Sequence, residues 1–273
     1  TDEGDASPNI FIYEREFAQR GGGANEVESN AIAGTKQLAK ALELYRRGSP
    51  LRGPIDYRLF NVQMDAIEIS DPVVLASLAH PATLDATVKR TCGGSLGVSF
   101  AAGAEDGPGP TVEGISCASS PDLINAAVTD FQALAAGKIP PALFGDLVLC
   151  NFDAQPLLNQ TCQAEKAVLF PVGPLNLEPS VLPLQIIRLG NLALVGVPWE
   201  VTTMAARRLR ASVLDVLKDA GVDTVVIAGL ANEYVHYLTT REEYSSQQYE
   251  GASNLFGPWS LAAVQQETRR LAV

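Results

Sequence analysis

The side chains best placed for chemistry in this sequence are a carboxylate and a phenol that stand far apart in the chain. Glu200 follows the apolar run 192–197, and Tyr237 lies beyond a second apolar run, 224–228. Each run suits a buried strand. Between them Ala206, Leu209, Val213, Val216, Leu217 and Ala220 share one helical face, with Thr202 or Thr203 as the cap and Gly221 as the stop. Strand, helix, strand at this length predicts a right-handed crossover with parallel strands. Ligands of open α/β sheets bind outside the carboxyl ends of such strands, so Glu200 and Tyr237 are expected to meet at one crevice. Taken singly, each has a plainer reading: Glu200 as an acid favoured in a helix's first turn, Tyr237 as a half-buried residue at a strand end. Ser7, just before Pro8, reads alone as a turn residue, and Tyr249 as a residue on a helix surface.

Histidine and cysteine offer less. The chain has two histidines, His80 and His236. His80 reads as a helix-end or surface residue. His236 adjoins Tyr237, and in extended backbone neighbours point to opposite faces, so the pair is not expected to reach one metal. Cys92, Cys117, Cys150 and Cys162 form no C-x-x-C pair and have no histidine at zinc-finger spacing, which argues against a structural zinc site. They allow three disulfide pairings, or four reduced thiols. Asn159-Gln160-Thr161 is a glycosylation sequon that suits a surface loop of a secreted protein.

The elements that must position these groups fit a chain of 273 residues, 47% hydrophobic and 19% charged, long enough to bury a large core. The net charge of −11 argues against a nucleic-acid partner. No apolar run is long enough to span a bilayer, and any targeting segment is expected outside these residues. The opening 1–30 reads as loop, 30–47 as a helix with Ile32, Leu38, Ala39, Leu42 and Tyr45 on one face, 57–69 as a strand, and 70–120 as loop-rich. Ser120-Pro121 opens a second helix, with Ser as cap and Pro in its first turn. A strand is expected over 181–188. The fold class predicted is α/β, mixed sheets flanked by helices.

Several short motifs run in one order along the chain. They are Gly4-Asp5-Ala6-Ser7-Pro8-Asn9, Ser99-Phe100-Ala101-Ala102-Gly103, Asp106-Gly107-Pro108-Gly109, Pro198-Trp199-Glu200-Val201-Thr202-Thr203-Met204-Ala205, Asn232 to Tyr244, Gln247-Gln248-Tyr249-Glu250 and Phe256-Gly257. Each is weak alone. As an ordered set they resemble the catalytic domain of the neutral/alkaline non-lysosomal ceramidases over nearly the whole chain.

That resemblance implies hydrolysis of the N-acyl amide of ceramide, to sphingosine and a fatty acid, with one Zn2+ held by two His, one Glu and one Tyr. Glu200 and Tyr237 fall on the Glu and Tyr ligand positions, Ser7 on an essential Ser that attacks or positions, and Tyr249 on a Tyr near the oxyanion. Zinc would lower the Tyr237 pKa, supply a hydroxide near neutral pH and polarise the carbonyl. The family's two His ligands precede the Ser motif, so residues 1–273 are expected to be one partial catalytic domain. A His-bearing companion segment or chain is expected upstream of Thr1, and an immunoglobulin-like domain beyond Val273. Trimming, nicking or an amino-terminal Thr1 nucleophile would each account for the start at Thr1. Nested spacing together with the family's habit of linking these segments implies Cys92–Cys162 and Cys117–Cys150 disulfides, and a secreted, periplasmic or extracellular location; a lipid substrate leaves room for peripheral membrane contact. The alternatives are a hydrolase of another N-acyl lipid or ester, and a non-catalytic secreted lipid-binding relative.

Overall fold

A computed structural model describes residues 23–78, 89–104, 107–135, 150, 163 and 165–273 of the chain. In chain order the elements are α1 (Glu26–Arg47), β1 (Ile55–Gln63), α2 (Pro72–Ser77), β2 (Leu96–Gly97), β3 (Gly103–Ala104), β4 (Gly107–Pro108), α3 (Pro121–Ala135) and β5 (Val168–Phe170). There follow β6 (Val181–Leu189), β7 (Leu192–Gly196), β8 (Glu200–Val201), α4 (Thr203–Leu217), β9 (Thr224–Ala228), β10 (Tyr237–Leu238), α5 (Arg241–Ser246), α6 (Tyr249–Ser253) and α7 (Ser260–Ala272).

The main sheet has the order β1-β6-β7-β9. β1/β6 and β6/β7 are antiparallel, and β7/β9 is parallel, joined through α4. Leu182, Leu184 and Ile186 of β6, Ala193 and Val195 of β7, and Val225 and Ile227 of β9 are buried at every second position, which defines the packed face. Helices α4 and α7 join these residues in one core: Ala205, Ala206, Leu209, Val213 and Leu217 from α4, Leu261 to Val264 from α7. The mixed α/β architecture is the one read from the sequence.

Three details differ. The strand expected to end at Ile69 runs Ile55–Gln63, because its ladder with β6 ends at Gln63↔Val181 and the chain enters a 3-10 turn at Met64–Ala66. Ala220 leaves the buried face of α4, since the helix tightens into a 3-10 turn over Lys218–Ala220 before Gly221, at φ 86°, stops it. Helix α1 forms, but Leu38, Leu42 and Tyr45 on its apolar face are exposed.

Cys117 and Cys150 are disulfide-bonded, with Cα atoms 5.5 Å apart. Cys92 is also disulfide-bonded. Its expected partner Cys162 lies outside the described residues, as do Ser7, His80 and the sequon at Asn159.

Candidate active site

Beyond β7 and β9 the chain does not turn away; it makes a second, two-rung ladder. β8 and β10 pair in parallel with Glu200 opposite Tyr237 and Val201 opposite Leu238. Facing residues of a parallel ladder project to the same side. The crossover therefore brings Glu200 and Tyr237 together as the sequence predicts, with Tyr237 buried and Glu200 partly open.

The connection from β9 to β10 is stitched onto the turn between β7 and β8. Leu230 N–H donates to the Trp199 carbonyl, Ala231 N–H to Val197 and Val235 N–H to Pro198, while Glu200 N–H donates to the His236 carbonyl at 2.8 Å. Only glycine fits at 229, because an added Cβ would come within 2.7 Å of the Trp199 carbonyl oxygen. Leu230, Asn232 and His236 have φ of 56°, 70° and 60°, the left-handed region. That region costs a side-chain-bearing residue about 1–2 kcal/mol, and such cost is kept where surrounding contacts enforce it. It also corrects the expectation for His236, whose backbone is left-handed rather than extended, so strand alternation does not govern its direction.

The segment's side chains gather above Glu200. Tyr234 Oη donates to Glu200 Oε1 at 2.6 Å. Burial, aided by the Glu200 carboxylate, pushes the Tyr234 phenol above its ordinary pKa, so it remains a donor. The His236 ring lies 5.4 Å from that of Tyr234 and edge-on to Phe100 at 5.8 Å. Its Nε2 is 3.4 Å from Glu178 Oε1. Burial lowers the imidazole pKa against the opposing pull of Glu178. Phe100, in the 3-10 turn Val98–Ala102, stacks on Tyr249 at 6.3 Å. Tyr249 in turn meets Tyr237 edge-on at 5.6 Å. One continuous line of rings thus links Tyr234, His236, Phe100, Tyr249 and Tyr237.

Tyr249 opens α6, and its N–H donates to Glu113 Oε1 at 3.1 Å. It faces the crevice, not solvent alone as its isolated reading suggests. Glu243 clasps the two site strands from below: its Oε2 accepts from the Thr202 hydroxyl and from Thr240 N–H, both at 2.7 Å. Thr202 caps α4 and Thr240 caps α5, so one carboxylate joins both helix starts.

Beneath lies a buried polar layer. Lys166 Nζ donates to the Ser95 carbonyl at 2.8 Å and to the Asn254 carbonyl, and sits 5.1 Å from the Tyr244 ring centroid. Desolvation drives its pKa well down.

Sequence reasoning missed Tyr234, His236, Phe100 and Glu178 as members of this site. Tyr234 carried a signal, three positions before Tyr237 in the same motif; Glu178 carried none. For a metal, Glu200 and Tyr237 fit as two hard-oxygen donors. Among the described residues no three His, Cys, Asp or Glu side chains gather as a metal-binding group.

The family profile for neutral/alkaline non-lysosomal ceramidase, N-terminal, matches residues 3–266. Neutral ceramidase B of Dictyostelium discoideum is 38% identical over 251 residues, 90% of this chain and 31% of its own length. The neutral ceramidase of Pseudomonas aeruginosa is 36% identical over 273 residues, 97% of this chain and 35% of its own. A solved structure titled "Ceramidase complexed with C2" superposes with a TM-score of 0.70 at 35% identity, covering 91% of this chain and 34% of that one. The chain spans about a third of the length of the curated relatives it matches. It belongs to the neutral/alkaline non-lysosomal ceramidase family.

Proposed function

We propose that these residues form part of the catalytic domain of a zinc-dependent amidase that cleaves ceramide into sphingosine and a fatty acid. The observation that carries the reading is the register of Glu200 with Tyr237, roofed by Tyr249. The relatives' names supply the substrate class. Glu200 and Tyr237 would hold the metal through oxygen, with two imidazoles coming from a companion segment of the full-length protein. When bound, zinc supplies an activated water and a Lewis acid for the acyl carbonyl.

The remaining work falls to the chain's own groups. Tyr249 directs its phenol toward the carbonyl oxygen, where a donor gains strength as charge develops. Ser7, on the motif serine, attacks or holds substrate. The rings of Phe100, Tyr237 and Tyr249 supply apolar surface beside the amide and limit water access. The Cys117–Cys150 bond favours an oxidising, secreted or periplasmic compartment. No described helix is long and apolar enough to cross a membrane.

The test is a fluorescent-ceramide assay on the full-length protein with zinc, chelator and zinc restored. Metal-dependent release of fatty acid is expected. Lipid binding without turnover would favour the non-catalytic relative, and cleavage of esters alone would redraw the substrate.

A further inference from the structure

Tyr234 stands on a segment that the fold holds unusually firmly. Three left-handed residues, Leu230, Asn232 and His236, shape the connection, and three backbone bonds fasten it to residues 197–199. The outcome of that construction is one contact: the Tyr234 hydroxyl on Glu200 Oε1 at 2.6 Å. A phenol donates to a carboxylate, so the contact occupies one lone pair of Oε1 and restrains the turning of the carboxylate. The second oxygen is left clear of that donor.

We propose that Tyr234 is the positioning residue for Glu200, fixing which carboxylate oxygen is presented to the metal and thereby setting metal affinity and turnover. This rests on the reading of Glu200 as a zinc ligand. Partners that orient a ligand in this way contribute about 10–100-fold in affinity or activity. The Tyr234 ring packs against that of His236, and His236 against Phe100, so removing the oxygen alone leaves the packing in place.

The experiment is a double-mutant cycle in the full-length protein, using Tyr234→Phe, Glu200→Gln and both together. Zinc affinity is read by competition with a chromophoric chelator, kcat and KM on fluorescent ceramide, and unfolding of the metal-free protein as a control. Tyr234→Phe is expected to weaken zinc about 10–100-fold and lower kcat, with KM and metal-free stability little changed. In the Glu200→Gln background it should cost no further zinc affinity. Equal losses in both backgrounds would show that Tyr234 acts independently of Glu200, and unchanged zinc affinity in Tyr234→Phe would likewise overturn the positioning role while leaving the site intact. If Glu200→Gln itself keeps full zinc affinity, the ligand assignment fails first, and Tyr234 has nothing to position.

Discussion

Glu200 and Tyr237 are backbone neighbours across a ladder of only two rungs, although a helix and a strand separate them in sequence. So short a ladder has little stability of its own. It is held by what flanks it: the parallel β7/β9 pair on one side, and the Glu243 clasp on the caps of α4 and α5 on the other. The placement of the two side chains is therefore a property of the crossover, not of either strand.

Replacing Glu200 by Gln or Tyr237 by Phe in the full-length protein should each weaken zinc and reduce ceramide turnover by more than about 100-fold, beyond the usual range for residues that only orient a ligand. Metal analysis on the purified variants, beside the activity assay, checks it. Retention of both metal and turnover in either variant removes that residue from the ligand set.

Glu243→Ala should destabilise the domain by about 1–3 kcal/mol, because the Thr240 N–H and Thr202 hydroxyl lose their shared acceptor. Urea unfolding measures it. A loss below about 0.5 kcal/mol, the scale of an ordinary surface change, would mean that the two caps stand without the clasp.

How much of this was legible beforehand follows the range of each interaction. The crossover was readable because its apolar runs and helical face are local patterns, and because parallel strands oblige their carboxyl ends to lie side by side. The β1 boundary was not, since it is set by where β6 begins, more than a hundred residues later. Glu178 was equally invisible: its meeting with His236 depends on a left-handed residue that sequence alternation cannot represent. Tyr249 illustrates the intermediate case, a helix-opening residue by pattern whose inward aim comes from Phe100, far upstream.

Lys166 should leave a signature in the pH dependence of stability. The unfolded chain keeps the lysine proton to about pH 10.4, whereas burial makes the folded site release it earlier. Between those two values unfolding takes up a proton, so this residue's contribution rises with pH across the window. Tyr244, raised by burial, acts with the opposite sign above about pH 10. Denaturant titrations between about pH 7.5 and 9.5 therefore isolate Lys166. Lys166→Met should flatten the slope there; an unaltered slope would show that the amine stays charged in the fold.

Peptide mapping without reductant should recover Cys117 with Cys150 and Cys92 with Cys162. Breaking the Cys117–Cys150 link, which closes a loop of 33 residues, should cost about 2–4 kcal/mol. Four free thiols in the full-length protein would sink the pairing and the proposed compartment together.

The 273 residues produced alone should bind zinc weakly and hydrolyse no ceramide, because two oxygen donors compete poorly with water and buffer for the metal. Adding the His-bearing companion should restore both. Tight stoichiometric zinc in the lone chain would make His80 or His236 a ligand.

The left-handed backbone at Leu230 has a consequence for how this domain can be improved. Leu230 is 57% exposed, so its side chain contributes little packing to set against its conformation. Glycine there would relieve about 1–2 kcal/mol of conformational cost and give back about 0.5–1 kcal/mol through the freedom of the unfolded chain. A library screened for heat resistance alone would thus enrich glycine at 230. The same exchange would slacken the connection that carries Tyr234, so laboratory selection for robustness and for turnover should drive this one position toward different residues.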